Sequence, residues 1–436
     1  MEQIEKGYYY YYHIFILITI VLGLFFKPMF IVGLLAGLYY IFKNINNLVR
    51  IYSLLMFLVP YAGIFKFEPG STSFFTILEI FFVCFQLFRE PKVRRRYFVC
   101  VIGFCTYVLF SSIISDNINI LSTLKVFMNL SLLYFFITGY DKTYFEIYIS
   151  SFSYGLILAS FLGLFKPELP QLAIYFKDLN ESYLGDMRLL RFSALSQDPN
   201  YYSIAVITSL GALISLTSFK GLKLKSAICF LILSVFGMTT YSKSFILSYL
   251  FLVIIIFSIL FFKRKIGKFF FTSVFLSVFL SSSFLAGSAF YQRFVYRFSR
   301  TDYNDVASIT TSRSVFWENY FEHIFSNVRV LLFGEGIGAP YVYNRPAHNM
   351  YIETWYLVGL VGLLLFFLTV FFILRSRIEL RKTQFINGYL LYSIFVMYFF
   401  LNGFTAFEFP FYMMFGWIVL NTDLFNSTRT LPYKNL

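Results

Sequence analysis

Apolar residues fall in long blocks along this 436-residue chain, broken by short clusters of charged and turn-forming residues. A block of roughly 20 apolar residues is long enough to cross a hydrocarbon core as a helix. The pattern predicts such spans at 8–26, 29–42, 48–65, 71–88, 97–115, 120–139, 144–165, 198–219, 224–241, 244–262, 267–290, 349–374, 384–401 and 404–421. The second is short and the ninth and tenth nearly touch, so the expected fold is an all-α, polytopic transmembrane bundle of about 12–14 spans. Two longer stretches interrupt the blocks, at 166–197 and 291–348. In the second, Phe316, Trp317, Tyr320, Phe321, Ile324, Phe325 and Val328 recur at helical spacing, with Glu318, Asn319 and Glu322 on the other side. This predicts an amphipathic helix lying on the membrane or over a cavity mouth, with Trp317 as a packing anchor. The chain then divides into N-terminal transmembrane helices (1–165), a first external loop (166–197), central transmembrane helices (198–290), a large external loop (291–348), and C-terminal transmembrane helices with a short tail (349–436).

Composition removes the other classes. Hydrophobic residues make up 58% of the chain and charged residues 13%, whereas a soluble domain is nearer a half apolar and a quarter charged. That excludes a cytosolic enzyme, a disordered chain and a disulfide-stapled secreted module. Cys84, Cys100, Cys105 and Cys229 all sit in apolar runs and read as small core residues rather than disulfide or metal partners. The apolar stretch to Phe26 carries no small-residue cleavage site and reads as a retained signal anchor. Part of the +14 net charge sets orientation. The clusters around Arg94, Lys223, Lys265 and Arg377 fall on one side of the alternating spans, which the positive-inside rule makes cytoplasmic. The alternation puts both termini there and favours 14 spans.

The stretches 166–197 and 291–348 then face outward, and both are rich in arginine. The first holds Arg188 and Arg191; the second holds Arg293, Arg297, Arg300, Arg313, Arg329 and Arg345. Arginine rather than lysine points to bidentate recognition of phosphate or carboxylate; the plainer reading is pairing with local carboxylates or anionic lipid heads. The run Phe333-Gly-Glu-Gly-Ile-Gly338 predicts a sharp turn by which backbone approaches a ligand or another helix. No strand precedes it, so it is not read as a nucleotide loop. His348 stands where the second loop re-enters the membrane, suited either to a general base near neutral pH or to a capping role. Lys243, at the turn between two spans, either snorkels to the interface or faces a polar cavity. Glu79 and Lys125, inside predicted spans, raise the same question. No Asp-x-Asp, His-x-x-x-His or external cysteine pair marks a metal site, and no cofactor is predicted. Nucleotide-binding, kinase and serine-hydrolase signatures are absent from the sequence as well. Chemistry on the outer face therefore needs a substrate that arrives already activated. A polyprenyl diphosphate-linked sugar is membrane-soluble, anionic and carries a good leaving group.

Taken in order, several segments resemble the bacterial O-antigen ligase and polymerase family. They are Arg191-Phe-Ser-Ala-Leu-Ser-Gln-Asp-Pro-Asn200, Thr240-Tyr-Ser-Lys243-Ser, Ser312-Arg313-x-x-x-Trp317, the glycine run to Gly338, His348-Asn-x-Tyr-x-Glu353 and Gly359-Leu-Val-Gly362, spread over about residues 188–375. The resemblance implies a metal-independent membrane glycosyltransferase. Arg191, Lys243 and Arg313, with Arg188 beside them, would hold the lipid diphosphate, Arg313 would also serve the chemistry, and His348 would activate the acceptor hydroxyl. Many members carry arginine where this chain has Lys243, which keeps the charge but loses the planar two-pronged contact. The implied reaction is that of a polymerase of O-antigen or capsule type. It moves an oligosaccharide from undecaprenyl diphosphate to a hydroxyl of another lipid-linked repeat unit, on the outer face of a bacterial inner membrane. Partners would be the undecaprenyl diphosphate-linked oligosaccharide, membrane lipids and a chain-length regulator, with no nucleic acid.

Three other readings stay open. A ligase would use lipid A core as acceptor. A lipid-linked oligosaccharide flippase draws on Glu79, Lys125 and the number of spans. A peptidoglycan polymerase of the shape-and-division type would give Asp302 or Asp305 more weight than His348. A single displacement at the anomeric carbon inverts configuration; a retaining route wants a carboxylate pair, for which Asp302, Asp305, Glu318, Glu335 and Glu353 are available.

Overall fold

The computed structural model describes residues 2–89, 95–139, 144–176, 181–184, 187–220, 224–263 and 313–375. The predicted spans 267–290, 384–401 and 404–421, together with Arg293, Arg297, Arg300, Asp302 and Asp305, lie outside the described residues. Within them the chain is helical but for its turns and one short hairpin.

The helices stand where the apolar blocks predict them. They are α1 (Glu2–Phe25), α2 (Pro28–Lys43), α3 (Leu48–Leu58, prolonged by one 3-10 turn Val59–Tyr61), α4 (Phe74–Arg89), α5 (Arg95–Ile114), α6 (Ile120–Gly139) and α7 (Phe145–Leu164). A short α8 (Pro170–Ala173) and an antiparallel pair β1 (Glu181–Leu184) and β2 (Met187–Leu190) occupy the first predicted loop. Next come α9 (Pro199–Lys220), α10 (Leu224–Met238) and α11 (Lys243–Lys263), then α12 (Arg313–Ser326), α13 (Val328–Phe333) and α14 (Met350–Arg375). Local chemistry sets several starts. Pro28 and Pro199 open α2 and α9 at the first turn, where a missing N–H costs nothing. The Asn47 side chain caps α3 by accepting from the Arg50 N–H at 3.2 Å.

Among the described residues, three helices are long and apolar enough to cross a membrane: Ile120–Gly139, Phe145–Leu164 and Met350–Ile373. Shorter apolar helices run beside them. Large apolar side chains such as Leu35, Phe110, Phe161 and Phe371 point outward, which suits a hydrocarbon surround better than water. Inside, the helices are joined by small polar contacts. Ser53 and Ser151 pair at 2.7 Å between α3 and α7, Tyr61 donates to the Gly155 carbonyl at 3.0 Å, and Ser153 pairs with Ser209 of α9 at 2.7 Å.

The connections predicted to share one side do meet at one end of the structure. Lys27 donates to the Phe67 carbonyl at 2.7 Å, Tyr175 to the Lys66 carbonyl at 2.9 Å, and Arg191 to the Thr240 carbonyl at 3.0 Å. The Gly338 N–H donates to the Asn117 carbonyl at 3.2 Å, which brings the second loop to the same end.

One predicted span is not continuous. α14 breaks at Gly359, where φ is 70° and ψ 177°. The carbonyls stranded by the break are all taken up: Tyr356 by the Glu335 N–H at 2.8 Å, Leu357 by the Gly336 N–H at 2.9 Å, and Val358 by the Tyr107 hydroxyl at 2.9 Å. A break at this depth is tolerable only where protein satisfies the backbone, as here. The glycine run is thus a dock for a helix. A side chain at Gly334 would put its Cβ 2.5 Å from the Gly359 nitrogen, and φ there is +82°.

Candidate functional site

The site is built from the start of α9. Asp198 accepts from the Asn200 N–H at 2.5 Å and caps the helix that Pro199 opens. The Asn200 side-chain oxygen then takes two donors at once: Arg191 Nη2 at 3.1 Å and Ser242 Oγ at 2.9 Å. Arg191 Nε donates to the Thr240 carbonyl at 3.0 Å, and the Phe192 N–H to the Thr239 carbonyl at 3.2 Å. Tyr241 has a φ of 49°, which turns the chain sharply between α10 and α11. Lys243, half-buried, is the first residue of α11, directly after Ser242. The Arg191 segment, the Asp-Pro-Asn start and the Thr-Tyr-Ser-Lys turn are therefore one hydrogen-bonded unit.

His348 is held against this unit from the other loop. α12 carries the scaffold: Trp317 Nε1 donates to the Ala347 carbonyl at 2.8 Å and Tyr320 to the Arg345 carbonyl at 2.9 Å. Arg345 lies 5.6 Å from the centre of the Phe316 ring. Trp317 is thus a packing anchor, as its spacing predicts. Capping falls to the next residue instead of His348. Asn349 Oδ1 accepts from the Tyr351 N–H at 3.0 Å and from the Ile352 N–H at 3.3 Å. His348 has a φ of 50°, a left-handed conformation uncommon for a residue with a side chain. Burial lowers its imidazole below the ordinary histidine value, the Arg313 charge lowers it further, and Asp198 acts against both. The ring is therefore neutral at pH 7 and able to accept a proton. Arg313, half-buried at the first residue of α12, and Asp198 are both close enough for their charges to reach it.

No protein-family model and no curated protein matches the sequence.

Four of the five predicted site residues, Arg191, Lys243, Arg313 and His348, belong to this arrangement. Arg188 is in β2, in register with Tyr183, and its side chain lies outside the described residues. Arg329 takes the plainer role foreseen for loop arginines. Its Nη2 binds Glu335 at 3.0 Å, with His323 on the other carboxylate oxygen at 3.1 Å. Glu353 is buried in the first turn of α14.

Three contributors were missed. Asp198 and Asn200 stand in a motif that resembles a helix start, and a cap followed by proline is a readable signal; their role as a hub is not. Lys166 is buried, donates to Ser193 Oγ at 3.0 Å and lies 3.7 Å from the Phe176 ring centre. Burial brings its ammonium down to about 8. Nothing in its neighbours along the chain announces that.

Beside this unit lies a cavity of about 670 Å³. Its walls come from the ends of α3, α4, α6 and α7, from the start of α9, and from residues 194–197 that link Arg191 to Asp198. Glu79 and Lys125 both line it, and the Lys125 charge acts on Glu79.

Proposed function

We propose that the chain is a polytopic glycosyltransferase of a bacterial inner membrane, working on the outer face. It moves an oligosaccharide from undecaprenyl diphosphate to a hydroxyl of a second lipid-linked repeat unit. The observation that carries the reading is the meeting of Arg191, with its Asn200 and Ser242 partners, and the neutral His348 beside Arg313.

In this reading the acceptor oxygen attacks the anomeric carbon as the bond to the diphosphate oxygen breaks. The hydroxyl proton passes to His348, and the bonding pair leaves with the diphosphate. Arg191, Lys243 and Arg313 stabilise the charge that grows there; a fixed donor of this kind is worth ~10²–10³ in rate. A neutral imidazole among fixed cations suits both halves of the step. The single displacement inverts configuration.

The transporter reading has one observation in its favour: the Glu79–Lys125 pair, since ionisable residues at membrane depth often mark a pathway. One assay separates the readings. Purified full-length protein in liposomes is given undecaprenyl diphosphate-linked repeat units without nucleotide. A product ladder lost in His348→Ala supports polymerisation. Transfer only when lipid A core is added makes the protein a ligase. Passage of unmodified lipid-linked sugar across the bilayer, untouched by His348→Ala, sinks the enzyme reading.

A further inference from the structure

The residues from Phe192 to Leu195 lead from Arg191 toward the start of α9, and they are gripped from two sides. On one side the Phe192 N–H meets the Thr239 carbonyl at 3.2 Å, and the Phe192 ring stacks on Phe236 with centres 5.3 Å apart. On the other side lies the end of α7. A Cβ at Gly163 would stand 2.6 Å from the Ala194 Cα, so the two backbones are in contact there. Ala194 has a φ of 45°, a left-handed conformation that a residue with a side chain keeps only where its surroundings enforce it. Ser193 alone among residues 192–195 has a side chain able to hydrogen-bond. Its Oγ accepts from Lys166 Nζ at 3.0 Å, and both residues are buried.

That lysine adds little to the stability of the fold. Its ammonium lies 3.7 Å from the centre of the Phe176 ring, and burial is the sole cause of its lowered value. Among the described residues no carboxylate acts on it: Glu168, close by in the chain, is exposed, and the Asp198 charge reaches His348 instead. Replacing a buried charge by an apolar side chain of similar size is often neutral or stabilising. A methionine would fill the same space; what it lacks is the donor to Ser193.

We propose that Lys166 is a positioning residue for the transfer step, which through Ser193 fixes the turn at Ala194 and thereby the backbone that presents Arg191, without itself touching substrate. The proposal rests on the glycosyl-transfer reading and deepens it. A displacement of about 1 Å in a group that meets the reacting atoms can cost ~10²-fold in rate, so loss of this latch is read in the kinetics.

Lys166→Met and the native full-length chain are compared in liposomes by ladder formation, and in nanodiscs by saturable binding of sugar-free undecaprenyl diphosphate. The variant should lose at least about tenfold in kcat/KM and bind the diphosphate more weakly, at an unchanged or higher Tm. Ser193→Ala removes the acceptor and keeps the lysine; it should also lower kcat/KM, and the double variant should be no worse than Lys166→Met alone. The deciding comparison is made in Arg191→Ala, where Lys166→Met should weaken diphosphate binding no further. Losses that multiply in that background, or a fall in activity that only tracks a lower Tm, make Lys166 an ordinary core residue and overturn the proposal. A native-like ladder from both Lys166→Met and Ser193→Ala overturns it too. If the native chain binds the diphosphate but forms no ladder, the transfer reading fails, and the binding cycle alone decides whether Lys166 positions Arg191. Absence of binding as well overturns both.

Discussion

Arg191 and Asn200 are joined by a 3.1 Å hydrogen bond from guanidinium to side-chain amide oxygen, and Ser242 donates to that same oxygen at 2.9 Å. One acceptor thereby fixes an arginine, a helix start and the turn before Lys243. Arg191→Ala should lower kcat/KM for ladder formation by ~10²–10³. Arg191→Lys should recover little, since an ammonium cannot reach both Asn200 and the Thr240 carbonyl as a planar fork does. Full activity in Arg191→Lys would show that charge alone matters there.

The pH dependence follows from the environment of His348. Its value is lowered by burial and by Arg313, so the neutral form that accepts a proton persists below pH 6.5. The kcat/KM profile should rise through a pKa under the ~6.5 of free imidazole and be level above it. Removing a neighbouring positive charge relaxes the shift, so Arg313→Gln moves that limb to higher pH. Asp198→Asn removes the opposing negative charge and moves it lower. The position of the limb is read independently of any loss in rate.

Gly359 is a stability position. Its φ of +70° disfavours a side chain, and a Cβ would collide with the Leu332 carbonyl. Gly359→Ala should cost on the order of 1–3 kcal/mol, seen as a lower Tm in detergent. Gly103→Ala, in α5, serves as the comparison, because a Cβ there meets nothing within 4 Å.

Trp317 bears on His348 through backbone. Trp317→Phe keeps most of the ring packing but loses the bond to the Ala347 carbonyl, a matter of about 1 kcal/mol. The expected signature is a fall in kcat at little change in Tm, with new protease cleavage near residues 345–348. A large loss of Tm would make the tryptophan a general core residue instead.

The helices could be read from the sequence with some accuracy. α6 and α7 lie at 120–139 and 145–164 against predicted 120–139 and 144–165, and α11 starts one residue before its predicted span. The amphipathic stretch after Arg313 was visible too, though not its division at Asn327, which caps α13 by accepting from the Arg329 N–H. The break at Gly359 was hidden. It stands in an unbroken apolar run, and the Tyr107 hydroxyl that satisfies it is 251 residues away in the chain.

Burial in hydrocarbon is close to additive over residues, so a run of apolar side chains carries its own instruction to form a helix of a given length. Charge clusters between the runs order their ends in the same additive way. That is why helix positions, the sharing of one end by distant loops, and a set of candidate cations could be stated from the residues alone. Proximity is a different kind of quantity. Asn200 became a hub, Asn349 took the cap that His348 was a candidate for, and the glycine run became a dock for a broken helix, only when particular faces packed together. Those outcomes depend on shape and hydrogen-bond direction between segments far apart in the chain, and no local pattern encodes them.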